Sequence, residues 1–319
     1  MNIFPIVANQ VVVLGLVLLA GLGARKLGVL DDRFKVAGGA YITNLALPCV
    51  AMSNILSPSM QLDTYSDAGM FVLAALLSIG VIFLLSLGTG LALHCERTII
   101  PLQCIGACTF NIFAFSLPVL TALYGETAVF YSMLLYVAGD ACMWTFEVYT
   151  VRRFTGDGGP ISLRGLISPA LCALVFAVCC KLAGIELPQW LYDSISAIGG
   201  TMKVMCLILL GVVVGSLSLR ELFCDLRVYL FAAAKLLLIP FLLSLFFFGV
   251  TDFGMSHEAV MTLLLTFSVA PVSVLPTIAK NYGGDDVYTT KLVTLSTLLC
   301  IGTVPLMSAV FTQVYTLLG

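Results

Sequence analysis

The chain has 319 residues, of which 60% are hydrophobic and only 10% charged, with 15 Lys and Arg against 17 Asp and Glu for a net charge of −2. Its mean hydropathy is +1.09. A soluble globule needs far more polar surface, so the composition excludes one and points to an all-α, multi-spanning membrane protein with no nucleic-acid partner.

Windows of about 20 apolar residues place ten spans, near 6–24, 36–56, 67–93, 99–123, 127–151, 162–182, 190–217, 226–250, 257–280 and 287–316. The first begins Met1-Asn2-Ile3-Phe4-Pro5 without a basic leader region, so it is expected to stay in the membrane. Span two contains Thr43-Asn44-Leu45-Ala46-Leu47-Pro48. Asn44 there either faces the centre of the bundle or hydrogen-bonds backbone freed by Pro48.

Span four reads Thr109-Phe110-Asn111-Ile112-Phe113-Ala114-Phe115-Ser116-Leu117-Pro118 and continues to Tyr124-Gly125. Span five carries Asp140 and Glu147, seven residues apart and so on one face of a regular helix. Each acid is a candidate for taking up a proton or pairing with a lysine, and Glu147 sits near enough to a span end to be wet. The connection from about Arg152 to Arg164 holds Gly156-Asp157-Gly158-Gly159-Pro160, which is turn and linker chemistry.

Span seven holds Lys203 and span eight Lys235. A charge at mid-membrane costs on the order of 2.5–3.5 kcal/mol on insertion scales, so each marks either an anion-attracting or a charge-pairing role. Lys291 is near enough to a span end to snorkel. Span nine reads Thr266-Phe267-Ser268-Val269-Ala270-Pro271-Val272-Ser273-Val274-Leu275-Pro276-Thr277. His94 and His257 lie at span ends, where solvation accounts for them.

A nine-residue pattern links spans four and nine. Leu117-Pro118-Val119-Leu120-Thr121-Ala122-Leu123-Tyr124-Gly125 and Leu275-Pro276-Thr277-Ile278-Ala279-Lys280-Asn281-Tyr282-Gly283 share Leu-Pro and Tyr-Gly at an offset of 158 residues, 275 minus 117. That is half the chain, which reads as a duplication into 1–155 and 156–319, one membrane domain of two five-helix repeats. Five is odd, so the second repeat is inverted. Basic residues agree with this topology. The connections after odd-numbered spans hold Arg25, Lys26, Arg33, Lys35, Arg97, Arg152, Arg153, Arg164, Arg220, Arg227 and Lys280, while the other side has Lys181 and the acids Asp63, Asp67, Glu126, Glu186, Asp193, Asp252 and Glu258. The positive-inside rule then puts both termini on the outer side of the cytoplasmic membrane.

A proline inside a spanning helix costs roughly 3 kcal/mol unless the freed backbone is satisfied, which happens where it lines a polar cavity. Helices four and nine are therefore expected to break at proline and cross, converging two helix N-termini on an anion. Asn111, Ser116, Ser273 and Thr277 would add uncharged donors. The eleven cysteines, Cys104 and Cys108 included, read as apolar filler, and no spacing suggests a metal, a cofactor or a catalytic site.

Asn111 with Pro118 and Tyr124-Gly125, Asn44 with Pro48, Trp144-Thr145, Lys235-Leu236 ahead of Pro240, and Ala270-Pro271 ahead of Tyr282-Gly283 together resemble the short bacterial form of the auxin efflux carrier family. The resemblance implies ten helices in two inverted repeats, helices four and nine crossed at proline, and transport of organic anions such as auxin, malate, malonate or lactate. It also implies a frequent homodimer, with a scaffold of helices one, two, six and seven and a mobile part of the rest. On this chain it puts substrate contact at Asn111 and the crossover at Pro118 and Pro271 or Pro276. Three positions depart from the family pattern: Asp140 stands where asparagine is expected, Glu147 where glycine is, and span nine has no asparagine. The two acids suggest proton coupling or a substrate less acidic than a dicarboxylate. The resulting expectation is a secondary or facilitative organic-anion transporter; the alternatives are a bile-acid/sodium-symporter-like carrier and a membrane ligand sensor.

Overall fold

The computed structural model describes residues 3–57, 66–92, 96–155, 169–215, 225–249 and 253–318. Most of the connection expected at 152–164 lies outside them, as do Asp63, His94, Arg164, Arg220 and Asp252. Every regular element among the described residues is helical. In chain order these are α1 (Ile3–Lys26), α2 (Asp32–Tyr41), α3 (Leu47–Ile55), α4 (Ala68–Ala92), α5 (Ile100–Cys108), α6 (Leu117–Cys142), α7 (Val148–Thr155) and α8 (Pro169–Leu182). The second half continues with α9 (Gln189–Gly215), α10 (Leu226–Ala233), α11 (Ile239–Gly249), α12 (His257–Phe267), α13 (Leu275–Asn281) and α14 (Asp286–Leu318).

Among the described residues six helical stretches are long and apolar enough to cross a membrane: Asp32–Ile55, Ala68–Ala92, Val119–Thr155, Gln189–Gly215, Leu226–Gly249 and Asp286–Leu318. Pro169–Leu182 and His257–Phe267 are shorter apolar helices. Helix starts are set by local chemistry. Asp31 caps α2 by accepting from the Arg33 and Phe34 N–H groups, and Asp225 and Ser256 cap α10 and α12 in the same way.

Among the described residues four π turns interrupt the helices, at Ile42–Ala46, Ile112–Ser116, Met143–Glu147 and Ala234–Leu238. Three of them end two residues before a proline, at Pro48, Pro118 and Pro240. The cause is covalent: proline supplies no N–H and its ring crowds the carbonyl four residues back, so the preceding turn widens.

The long stretch Val119–Thr155 is two helices joined at a kink, because Gly125 inside α6 has φ 61° and ψ −137°. Gly283, its counterpart in the repeated pattern, has φ 72°. Both Tyr-Gly turns thus use a left-handed glycine, and the boundary expected between spans four and five falls at the first of them.

Packing separates the helices into two bundles. In the first, α9 runs along α1, α2 and α3, and α8 lies on α3. Contact between α1 and α9 is so close that a Cβ on Gly211 would fall onto the Leu18 carbonyl and within 2.7 Å of the Leu22 nitrogen. The second bundle is α4 to α7 with α10 to α14. The two meet where α1 lies against α6 and α14, where α9 touches the π turn Ile112–Ser116, and where α3 reaches α6. There Ser57 Oγ donates to Glu126 at 3.1 Å, while Lys181 Nζ donates to the Ser57 carbonyl at 2.8 Å.

Gly125→Ala should lower the stability of the detergent-solubilised protein by about 1–3 kcal/mol, since no neighbour obstructs the new methyl and the whole cost is backbone strain. Gly15→Ala, in open space on helical backbone, should be neutral or stabilising in the same thermal-unfolding measurement.

Candidate functional site

The polar positions of spans four and nine come together where two helices are interrupted. After α5 the chain leaves the helix at Thr109, which is extended at φ −93° and ψ 159°, and re-enters a π turn at Ile112. After α12 it is non-helical from Ser268 to Val274 and resumes as α13 at Leu275. The two interruptions bond to each other. The Asn111 N–H donates to the Ala270 carbonyl at 2.8 Å, Asn111 Nδ2 to Ser273 Oγ at 2.9 Å, and the Val272 N–H to Thr109 Oγ1 at 3.4 Å. The Phe110 and Phe267 rings meet edge to face at 5.1 Å.

The prolines lie differently from expectation. Pro118 and Pro276 occupy the first turns of α6 and α13, and the breaks precede them. A helix start is where proline is tolerated, since its missing N–H has no intrahelical partner there in any case. Only Pro271 lies within an interruption, and it is buried. The side chain of Pro118 lies outside the described residues.

The expected ligand donors divide. Ser273 and Thr277 are exposed and Asn111 is half-buried, so these three stay accessible together. Ser116 is fully buried, bonded to the Ile112 carbonyl at 3.3 Å and approached by Thr266 Oγ1 at 3.4 Å. It braces the interior of the bundle and lines no opening, because the π turn points it inward. Asn44 is exposed and donates to the Ala40 carbonyl one turn back at 2.9 Å, which satisfies its own helix rather than joining Asn111.

The charged residues separate as well. Lys235 is fully buried; its Nζ donates to the Ala107 carbonyl at 2.7 Å and lies 5.7 Å from the Phe110 ring centroid and 5.5 Å from that of Phe267. It is therefore positioned directly behind the junction. Glu147 is 1% exposed, so the wet span end expected for it is a dry interior, and its Oε2 has no hydrogen-bond partner. The π turn Met143–Glu147 interrupts the helix between Asp140 and Glu147, so the seven-residue spacing does not stack them. Asp140 is half-buried, with the Trp144 indole reaching its carboxyl. Lys203 is half-buried on α9 and forms no ion pair among the described residues. His257 is likewise not simply solvated: it packs against Tyr315 at 4.2 Å with its Nδ1 unpartnered.

Three further residues contribute to the junction that were not among the expected site residues. Cys300 accepts from the Ala270 N–H at 3.1 Å, supplying from α14 a partner for the second interruption. Thr109 and Thr266 link the two breaks through their hydroxyls. Hydroxyls flanking a helix break are a usable signal, whereas a cysteine from a distant helix is not. Among the described residues no group of three or more His, Cys, Asp or Glu is placed to hold a metal ion.

A double-mutant cycle on Asn111→Ala and Ser273→Ala should give a coupling of about 0.5–1.5 kcal/mol in apparent stability, the size of one net hydrogen bond. Additive effects would mean that the side chains do not hold the two interruptions together.

Comparison with curated proteins gives no match. The family model described as membrane transport protein matches residues 159–308, the greater part of the second half of the chain. With its apolar helices, that match makes the chain an integral, multi-pass membrane protein of a transporter family. The matched family is the auxin efflux carrier family, which the motifs around Lys235 and Pro271 inside the matched stretch, and around Asn111 ahead of it, resemble.

Proposed function

We propose that the chain is a secondary or facilitative transporter of small organic anions, mono- or dicarboxylates or auxin-like acids, working by alternating access in the cytoplasmic membrane. The observation that carries this reading is the junction of the two interrupted helices. It leaves an amide and two hydroxyls, of Asn111, Ser273 and Thr277, accessible together, with the buried Lys235 ammonium immediately behind. Neutral donors backed by a distant positive charge suit a carboxylate that must be released again, where a direct lysine contact would hold it.

In this reading the ten spans form two inverted repeats, 1–155 and 156–319, and helices four and nine cross at the junction. Contacts between the helix ends support that topology. Arg227 bonds Glu96 at 3.3 Å and Arg152 lies 5.1 Å over the Tyr282 ring, joining connections assigned to the cytoplasm. Asp67 accepts from the Ser256 N–H at 2.7 Å and from the Tyr131 hydroxyl, and Ser57 bonds Glu126, joining those assigned to the outside. The second bundle would move against the first, with α9 facing the π turn that leads into the site.

Thermal stabilisation of the purified protein by malonate, malate, lactate and indole-3-acetate tests the substrate class, because a ligand of the folded state must raise apparent stability. Stabilisation by at least one of these acids is expected, with Asn111→Ala weakening its apparent Kd about tenfold, the equivalent of one lost hydrogen bond. Stabilisation by bile acids or sodium alone would transfer the chain to the symporter-like reading. Binding without counterflow in liposomes would make it a sensor.

A further inference from the structure

We propose that Glu147, facing Lys235 in the dry interior of the second bundle, is a proton-binding site whose occupancy sets the charge behind the junction, so that a proton and an organic anion bind together. The coupling half rests on the anion-carrier reading; the proton site does not.

The argument starts from two buried groups of opposite sign that do not complete each other. Lys235 is fully buried, and its one described acceptor is the Ala107 carbonyl at 2.7 Å. Glu147 is 1% exposed, and its Oε2 lies in apolar surroundings with no donor. The two are within electrostatic reach of each other but form no direct ion pair. A carboxylate oxygen buried without a donor is costly unless it carries a proton or shares a neighbour's charge. Glu147 is placed between these two conditions.

Among the described residues its surroundings offer no competing charge. The ionisable groups facing it are the Cys104 and Cys108 thiols from α5, the Cys142 thiol from α6, and Lys235 from the π turn Ala234–Leu238. The α4 helix contributes no charged side chain, and on α7 Arg152 is engaged over the Tyr282 ring. The Cys300 thiol of α14 is also within electrostatic reach of the lysine. Both Glu147 and Lys235 lie within π turns, a local widening that is frequent where function requires it.

The route from this pair to the anion site is short. Ala107 is in the last turn of α5, two residues before Thr109 opens the first interruption, and the rings over which Lys235 lies, Phe110 and Phe267, belong to the two chains that meet there. With Glu147 ionised, the pair is neutral and the junction gains little positive field. Taking one proton from water onto Oε2 leaves the Lys235 charge uncompensated behind Asn111. The proton leaves again to water when the anion does, and no other bond is made or broken. By reciprocity, whatever factor protonation adds to anion affinity, the anion adds to proton affinity.

Infrared difference spectra of the purified protein in lipid nanodiscs, recorded while the pH is lowered, test the site directly. The expected result is a growing carboxylic-acid C=O band that shifts in heavy water, is lost in Glu147→Gln and is kept in Asp140→Asn. If Glu147→Gln does not fold, Glu147→Asp should retain the band at a shifted frequency. A band that survives Glu147→Gln, that vanishes with Asp140→Asn, or that never forms overturns the proton site. Coupling is read with malonate as the probe. Its apparent Kd for the wild type should tighten on the order of tenfold on acidification and stay flat in Glu147→Gln. A flat wild-type profile with the band intact overturns coupling. No stabilisation by any acid of the panel at any pH, with the band intact, overturns the anion reading and the coupling but leaves the proton site standing.

Discussion

The hydrogen bond from the Asn111 N–H to the Ala270 carbonyl is the constraint around which the second bundle is arranged. In hydrocarbon every unpaired backbone group costs several kcal/mol, and an interrupted helix exposes a run of them. Here each interruption is largely the other's solvent: Val272 N–H goes to Thr109 Oγ1 and Asn111 Nδ2 to Ser273 Oγ, while α14 supplies Cys300 Sγ for the Ala270 N–H. Neither break would be tolerable alone. The two interruptions are therefore mutually dependent, each satisfying polar groups that the other exposes.

Proline acts at one remove from where its chemistry first suggests. Pro276 stands at a helix start, where a missing N–H has no consequence, and so marks where order resumes after a break, whereas Pro118 follows a helical turn that has already begun at Ile112. Pro48, Pro118 and Pro240 each follow a π turn by two residues. Widening the preceding turn lets the chain accept the ring without ending the span. The fourth π turn, Met143–Glu147, has no proline after it, and Pro305 lies inside α14 without a π turn. Proline thus accounts for three of these distortions, and the one it leaves unexplained closes on the buried Glu147.

These distortions also separate what the sequence discloses from what it hides. Apolar windows place helices well because membrane thickness fixes their length, so the expected spans at 67–93, 190–217 and 226–250 fall on Ala68–Ala92, Gln189–Gly215 and Leu226–Gly249. The Tyr-Gly pattern was legible too, since only glycine takes the positive φ that Gly125 and Gly283 share. Register was not legible. Reading Asp140 and Glu147 as one face assumes 3.6 residues per turn, and a single wide turn between them sends one to a partly open surface and the other to the core. Ser116 turned inward for the same reason, and Cys300 reaches the site from a helix whose own pattern says nothing about it.

The two bundles are built from different materials. In the first, Gly211 lets α1 and α9 approach until their backbones touch, and that kind of small-residue packing is rigid because it has no side chains to rearrange. The seam with the second bundle is of another kind, since there α1 lies against α6 and α14, α9 touches the π turn beside Asn111 and the Ser57–Glu126 bond closes one end. A rigid frame facing a distorted turn concentrates compliance at that turn. The proposed site and the place where the molecule yields most easily are then the same few residues, so an anion held there would act directly on the seam that the proposed motion must open.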